Sequence, residues 1–409
     1  MLTKQGETFM TDEPFLIDDH DRYGSVKLIG WWDQAKLRGA KILVVGAGAL
    51  GNEVLKNLAL LGVGELHVVD FDRIESSNLT RSVLFRERDC GRPKAEVAAA
   101  ALRELNPDIR VWPWVANIIT EIGLGLFRHC DLIIGCLDNR EARLWVNRQC
   151  WKVSRPWIDG GIQEIQGVVK VFCPPSSACY ECGMTENDYR LINLRYSCPL
   201  LRQEDLLAGK VPTAPTIASM IGGLQVQEAL KLLHGLPVSS GSAIVYNGLA
   251  NQMYRTAYQR HDACLSHETW PTIVDFPLTV QHTAEQLAQA VGKHAGWEKN
   301  WQILLERDLV LAIECEPCTW SQDRFQPAHN VKMAEAQCPH CGQPARPIMI
   351  HTIDSDSAWT RLPLSRLGIP AFDIIRMVTD TAEFTVCLAG DRPTGVDPSH
   401  GFAEGLLDR

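Results

Sequence analysis

The sequence predicts an α/β protein, a doubly wound parallel sheet followed by a smaller α+β module. Three observations carry this reading: a strand–glycine turn–helix–strand run that begins at Lys41, an alternating strand pair over Gly160–Phe172, and paired cysteines in the last third of the chain. Lys41–Val45 is a short apolar run, and Gly46, Gly48 and Gly51 complete G-x-G-x-x-G. Asn52–Leu61 has helical apolar spacing, and Glu65–Val69 is a second strand ending on Asp70. The first glycine permits a tight turn, the second lets backbone approach a phosphate, and the third packs helix against strand. A helix N-terminus at that point offers free N–H groups and a positive dipole end to an anion. Asp70 stands where such folds place an acid on a ribose hydroxyl. Together these residues predict a nucleotide site.

The residues that follow select the chemistry. Asp72 comes next, then Ser77-Asn78-Leu79-Thr80-Arg81, then Gly91-Arg92-Pro93-Lys94-Ala95-Glu96. A third strand is read at Leu132–Cys136, running into Leu137-Asp138-Asn139-Arg140-Glu141-Ala142-Arg143. A dehydrogenase has no need of an Arg and a Lys trailing the acidic strand end. An ATP-using adenylyltransferase does, because cations must hold a triphosphate and carboxylates must organise Mg²⁺. On these motifs the chain resembles the ThiF/MoeB family, whose fold is shared with ubiquitin-activating enzymes, from about Arg22 to His267.

The resemblance implies roles position by position. Gly46, Gly48 and Gly51 cradle ATP, Asp70 holds its ribose, and Asn78, Arg81 and Lys94 contact its phosphates. Asp138 matches the Mg²⁺-associated acid, and Asp72 is counted with the cofactor-binding set. The implied reaction is attack of a protein's C-terminal carboxylate on the α-phosphate, with release of pyrophosphate. Because the two anions repel, catalysis is mostly positioning and charge neutralisation. Taken singly, Asp70 reads as a turn cap and Arg81 and Lys94 as surface charges; the ordered constellation favours the site. One departure stands out. The family often begins with R-Y-x-R, whose second Arg reaches the neighbouring subunit's ATP site, whereas here Arg22-Tyr23-Gly24-Ser25-Val26-Lys27 puts Ser25 at that position. Arg22 and Lys27 are the candidates for that trans-acting cation, and a homodimer follows from the resemblance alone.

The chain has fourteen cysteines, no secretory signal and no apolar run of membrane-spanning length. A reducing, cytoplasmic setting is expected, where C-x-x-C pairs bind metal more often than they form bridges. Cys179 and Cys182 form the first pair. Where the family carries a second C-x-x-C, this chain shows Cys264-Leu265-Ser266-His267, still a complete tetrahedral Zn²⁺ set unless His267 is an ordinary surface histidine. Cys315 and Cys318 with Cys338 and Cys341 form a second set, of zinc-ribbon or knuckle spacing. Redox-active C-x-x-C motifs are the rival reading, but no thioredoxin-like βαβ context surrounds them. Both zinc ions are expected to be structural, since four protein ligands leave no open position.

Seven cysteines then lack a metal role: Cys90, Cys130, Cys136, Cys150, Cys173, Cys198 and Cys387. Cys136 and Cys173 lie in apolar runs and read as core. Cys198 lies in a polar, proline-flanked stretch, Arg195-Tyr196-Ser197-Cys198-Pro199, ahead of the helix that starts near Ile217. In ubiquitin-activating relatives the crossover loop before that helix carries the cysteine that accepts the activated protein as a thioester. Arg195 and Arg202 are placed to lower a thiol pKa, and the alternative is an inert loop cysteine.

Composition fits without choosing. A net charge of −9 and the lack of any Lys/Arg run argue against a broadly nucleic-acid-binding surface. The expected organisation is a polar arm over 1–21, an adenylation domain with its crossover loop over 22–270, a zinc-binding module over 272–395 and a flexible tail over 396–409. Trp31 and Trp32 are expected to begin a helical stretch buried against the sheet. In the module, Asp275–Val280, Leu304–Ile313, Ala371–Met377 and Glu383–Leu388 read as strands and Thr283–Val291 as a helix. The function predicted is ATP-dependent activation of a ubiquitin-like protein, with thioester transfer to Cys198. Alternatives are an activator of a sulfur-carrier protein that stops at the adenylate, an adenylyltransferase for a peptide or small molecule, and a binding scaffold with a lapsed ATP site. By analogy with ubiquitin-activating enzymes, the module docks a conjugating enzyme; dimerisation and substrate binding are its rivals.

Overall fold

The computed structural model describes residues 20–190, 212–297, 300–331 and 337–393. Short β-branched runs build the first sheet. Its strands are β1 (Lys41–Val45), β2 (Glu65–Val69), β3 (Arg110–Trp114), β4 (Leu132–Gly135), β5 (Trp157–Gln163), β6 (Gln166–Phe172), β7 (Ser242–Asn247) and β8 (Gln252–Ala257). They lie in the order β3-β2-β1-β4-β5-β6-β7-β8. The first five run parallel, and β6 to β8 continue as an antiparallel meander.

Helices cover both faces of the parallel half, so its strands are apolar on alternate residues in both directions. Ile42, Val44, Val68 and Ile134 face α2 (Ala49–Leu60), α3 (Lys94–Leu105) and α6 (Pro215–His234). Leu43, Val45 and Ile133 face the opposite layer, made by α4 (Leu124–His129) and α5 (Arg140–Lys152). Among the described residues no helix is long and apolar enough to cross a membrane.

Several details differ from the sequence reading; the strands expected at Asp275–Val280 and Ala371–Met377 lie at Ile273–Phe276 and Ile374–Thr379. Leu132–Gly135 is the fourth strand, not the third, because Arg110–Trp114 precedes it despite Pro113. Proline argues against a central strand, but β3 is the sheet's edge, where a missing N–H is tolerated. Trp31 and Trp32 are not core. Trp31 is exposed and Trp32 half-buried, ahead of α1 (Gln34–Gly39), and their rings stand 5.2 and 5.5 Å from that of His234 at the end of α6.

A second sheet begins at β9 (Ile273–Phe276) and continues with β10 (Trp301–Cys315), β11 (Trp320–Pro327), β12 (Arg346–Asp354), β13 (Ile374–Thr379) and β14 (Glu383–Leu388). The order is β11-β10-β13-β14-β9, with β12 also on β10. β10 is 15 residues long and changes neighbour along its length, pairing β13 over its first four residues and β11 over its last seven. α7 (Ala284–Ala295) starts at a Thr283/Gln286 capping box and buries Leu287, Ala288 and Val291 against this sheet. Phe372, Ile374 and Cys387 join the core of α4 and α5, so the two sheets share packed side chains. Arg307 is fixed at that junction by Asp373 (2.9 Å) and the carbonyls of Ile119 (2.5 Å) and Ile122 (2.8 Å).

Candidate active site and metal centres

The strand order reverses between β1 and β4, which opens a crevice at their C-terminal ends. Gly46 turns the chain out of β1 at φ +98°, where a Cβ would come within 2.5 Å of the Cys136 carbonyl oxygen. A Cβ on Gly51 would collide with the Gly46 carbonyl, so close helix–strand approach explains that glycine. Gly48 is different. A Cβ there would meet no protein atom within 4 Å, and Gly48 gives α2 no side-chain cap. Protein packing therefore does not account for glycine at 48, whereas room for a ligand over the first turn of α2 does.

Asp70 follows β2. Its carboxylate accepts from the Ala47 N–H (2.7 Å) and the Asp72 N–H (2.8 Å), so it caps the glycine turn from the side. Burial lifts its pKa above the usual aspartate value, against the opposing pull of Lys94 and those two N–H groups. Asp72 is exposed and pairs with Lys94 Nζ at 2.7 Å, while the Lys94 side chain is only 12% exposed. Arg81 donates to the Ser77 carbonyl (2.8 Å), and Asn78 accepts from the Glu75 N–H (3.0 Å), which orders the 76–81 turn. Asp138 is exposed at the end of β4, just before Asn139, whose side chain caps α5 by accepting from the Ala142 N–H (2.7 Å). The glycine turn, Asp70, Asp72, Lys94 and Asp138 thus stand at the C-terminal edge of β1, β2 and β4, with the Asn78–Arg81 turn following Asp72 in the chain.

Two positioning residues escape sequence reasoning. Asn52 is fully buried; its amide donates to the carbonyls of Ala47 (2.8 Å) and Gly48 (3.0 Å), and its oxygen accepts from the Leu84 N–H (2.9 Å). It ties the glycine turn to the segment that follows Arg81. The only sequence signal was a polar residue on an apolar helix face. Replacing Asn52 by alanine strands buried polar groups and is expected to cost about 2 kcal/mol of stability. It should also weaken ATP binding several-fold; urea unfolding and calorimetric ATP titration check the pair. Arg143 donates to the carbonyls of Leu137 (2.5 Å) and Gly160 (3.0 Å) and pairs with the buried Asp159 at 3.0 Å, which pins the residue before Asp138. Burial opposes its charge, but Asp159, Tyr180 and Asp138 together outweigh that and raise its pKa.

Arg22 donates to the Leu105 carbonyl (3.0 Å), at the end of α3 remote from Lys94, and Lys27 pairs with Asp21. Cys198, with Arg195 and Arg202, lies outside the described residues. A cavity of about 1000 Å³ opens between α7 and the 355–361 turn and holds none of the predicted site residues.

Both cysteine sets converge. Cys179 Sγ is 3.7 Å from Cys182 Sγ and 3.6 Å from Cys264 Sγ, and Cys182 Sγ is 3.4 Å from His267 Nε2. In the second set Cys315 and Cys341 are 3.5 Å apart, and Cys318 and Cys338 3.3 Å. A tetrahedral Zn²⁺ with Zn–S bonds of about 2.3 Å separates its sulfurs by about 3.8 Å, so both sets suit that ion. A third cluster does not. Glu65 Oε1 lies 2.9 Å from His67 Nε2 and 3.0 Å from His129 Nε2. The Trp114 indole, a donor only, is 3.2 Å from His67 Nδ1 and requires that nitrogen to accept. Nε2 then carries the proton, donates to Glu65, and has no lone pair for a metal.

Comparison with known proteins identifies the family of the first domain. Residues 20–266 match the model of the ThiF family. The chain is 31% identical over 261 residues to the sulfur carrier protein adenylyltransferase of Thermus thermophilus, a match covering 61% of this chain and 89% of that protein. It is 40% identical over 188 residues to human ubiquitin-like modifier-activating enzyme 7, covering 44% of this chain but only 19% of that larger enzyme. Among solved structures, E. coli MccB crystallised with MccA superposes with a TM-score of 0.50 at 26% identity, over 61% of this chain and 74% of that one.

Proposed function

This chain belongs to the ThiF family, an ATP-dependent adenylyltransferase fold, and on that premise we propose that it activates the C-terminus of a ubiquitin-like or sulfur-carrier protein. The observation that carries the reading is the convergence of the glycine turn, Asp70, Lys94 and Asp138 on one crevice, with open space over Gly48 at the start of α2 that leaves room for a ligand. In the proposed step a terminal carboxylate oxygen bonds to the α-phosphorus, the bond to the bridging oxygen breaks, and pyrophosphate leaves. Lys94 and Arg81 offset the charge of the phosphates, and Asp70 takes the ribose. Asp138 and Asp72 are the carboxylates that would hold Mg²⁺, which when bound screens the phosphates from the incoming anion. The two cysteine sets would each hold a structural Zn²⁺, tying loops in place. A homodimer with Arg22 or Lys27 acting in trans, in the cytoplasm, completes the proposal, together with a module over 272–395 that binds the carried protein, a second copy or a conjugating enzyme.

Thioester transfer is the finer proposal. The Cys198 thiolate attacks the acyl carbonyl of the adenylate, AMP leaves, and the carrier stays on sulfur. A second reading stops at the adenylate, and it is favoured by the near-complete coverage of the Thermus sulfur-carrier enzyme. A peptide substrate is a third, supported by the likeness to MccB crystallised with MccA. Intact mass under non-reducing conditions separates them. Wild type and Cys198→Ala are incubated with Mg-ATP and a candidate carrier encoded nearby. An adduct that thiols remove, present in wild type only, supports the thioester. An adenylated carrier with both proteins and no adduct returns Cys198 to the inert loop cysteines.

A further inference from the structure

The second sheet lies along α5 from its first turn to its last. Glu141 Oε1 is 2.6 Å from His329 Nε2, the Arg307 guanidinium sits 4.9 Å over the Trp145 ring, and Lys152 pairs with Glu306. Positions 141, 145 and 152 are spaced by four and seven, so they form one stripe of the helix. The end nearest the crevice is held by His329 through Glu141 in the first turn, and Asn139, which caps that turn, also donates to Asp138 (3.4 Å). His329 stands in the short Ala328–Asn330 turn after β11. That turn is anchored in turn by the four-cysteine set: Ala328 and Val331 pack against the small core of Val310, Ile313, Cys315 and Cys338. A continuous line of contacts therefore runs from the second cysteine set, through His329 and Glu141, to the capped first turn of α5 that presents Asp138.

We propose that the module at the C-terminal side is part of the adenylation machinery: His329 is a positioning residue that sets Asp138 through Glu141, and zinc at Cys315, Cys318, Cys338 and Cys341 holds His329 in place. This rests on the reading of Asp138 as the acid that serves Mg²⁺. A carboxylate that must meet a metal is sensitive to the partners behind it, and loss of such partners commonly lowers metal affinity ten- to a hundredfold.

The test is calorimetric binding of ATP to the full chain at graded Mg²⁺, which needs no carrier protein. His329→Ala should raise the Mg²⁺ needed for half-maximal ATP binding by about tenfold, without loss of bound zinc. His329→Gln keeps a side-chain donor for Glu141 and should stay within about twofold of wild type. Cys338→Ser should lose one equivalent of zinc by elemental analysis and shift the Mg²⁺ midpoint as His329→Ala does. Asp138→Asn supplies the reference. If it abolishes the Mg²⁺ dependence while His329→Ala leaves the midpoint unchanged, the inference is wrong and the assignment of Asp138 stands. If Asp138→Asn is itself without effect, both fall.

Discussion

Replacing Lys94 by alanine lowers the rate of ATP–pyrophosphate exchange by about a hundred- to a thousandfold, the usual loss when a preorganised charge is removed from a phosphoryl-transfer site. The size follows from the setting. The ammonium group is largely shielded from water and paired with Asp72, so it is held in place before ATP arrives. Taking it away also leaves Asp72 without its cation, so the crevice becomes more negative where a triphosphate must enter. Burial already raises the Asp70 pKa and Lys94 opposes that shift, so the variant should move Asp70 further toward its protonated form. Lys94→Arg should recover little, because a planar guanidinium does not replace a compact ammonium at one point. The fold should survive, since Lys94 lies in the first turn of α3 with its backbone N–H still bonded to the Asp72 carbonyl (2.9 Å). An unchanged thermal midpoint beside a collapsed exchange rate checks both halves.

The second large effect concerns stability. Cys179→Ser should remove one equivalent of zinc and lower the melting temperature by about 10 °C, a loss of several kcal/mol spread over a large domain. Cys179 and Cys182 follow β6, while Cys264 and His267 stand 85 residues on, so the cluster closes a long loop. Its members sit in the core of the α5 side: Cys179 and Cys182 are buried, and the His267 ring stacks on Trp151 at 5.6 Å. Cys182 Sγ also accepts from the His261 N–H (3.5 Å), a contact suited to thiolate. Without metal, four polar atoms remain packed together with their charges and protons unmatched. Differential scanning calorimetry with elemental analysis reads the two quantities together, and a chelator on wild type should reproduce the shift.

Much of this architecture was legible from local patterns. β1, α2 and β2 declare themselves through apolar spacing around three glycines, and β14 begins and ends where alternation placed it. The cysteine pairs are local signals too, and folding brings Cys179 to Cys264 and Cys182 to His267 as the family resemblance implied. What stayed hidden depends on contacts remote in sequence. Pro113 disguised β3, because only the sheet order reveals that the strand is an edge. The helical reading of Trp31 and Trp32 overlooked His234, two hundred residues away, which gives those rings a partner at the surface. Asn52 carried no role in the sequence reading, because the Leu84 N–H that its oxygen accepts from lies 32 residues away. Arg143 was within the motif after β4 but had no evident role until β5 placed Asp159 beside it.

The central claim is that a carrier protein attacks the α-phosphate of ATP. The direct test follows label from ATP marked at the α- or the γ-phosphate, with the full chain, Mg²⁺ and a candidate carrier bearing a flexible C-terminal tail. The account predicts that γ-label leaves as pyrophosphate while α-label becomes bound to the carrier in the Cys198→Ala protein and, where wild type passes the acyl group to Cys198, leaves as AMP, and that Lys94→Ala suppresses all of these. Transfer of γ-label to the carrier, or release of ADP and phosphate without any α-label on protein, would contradict it.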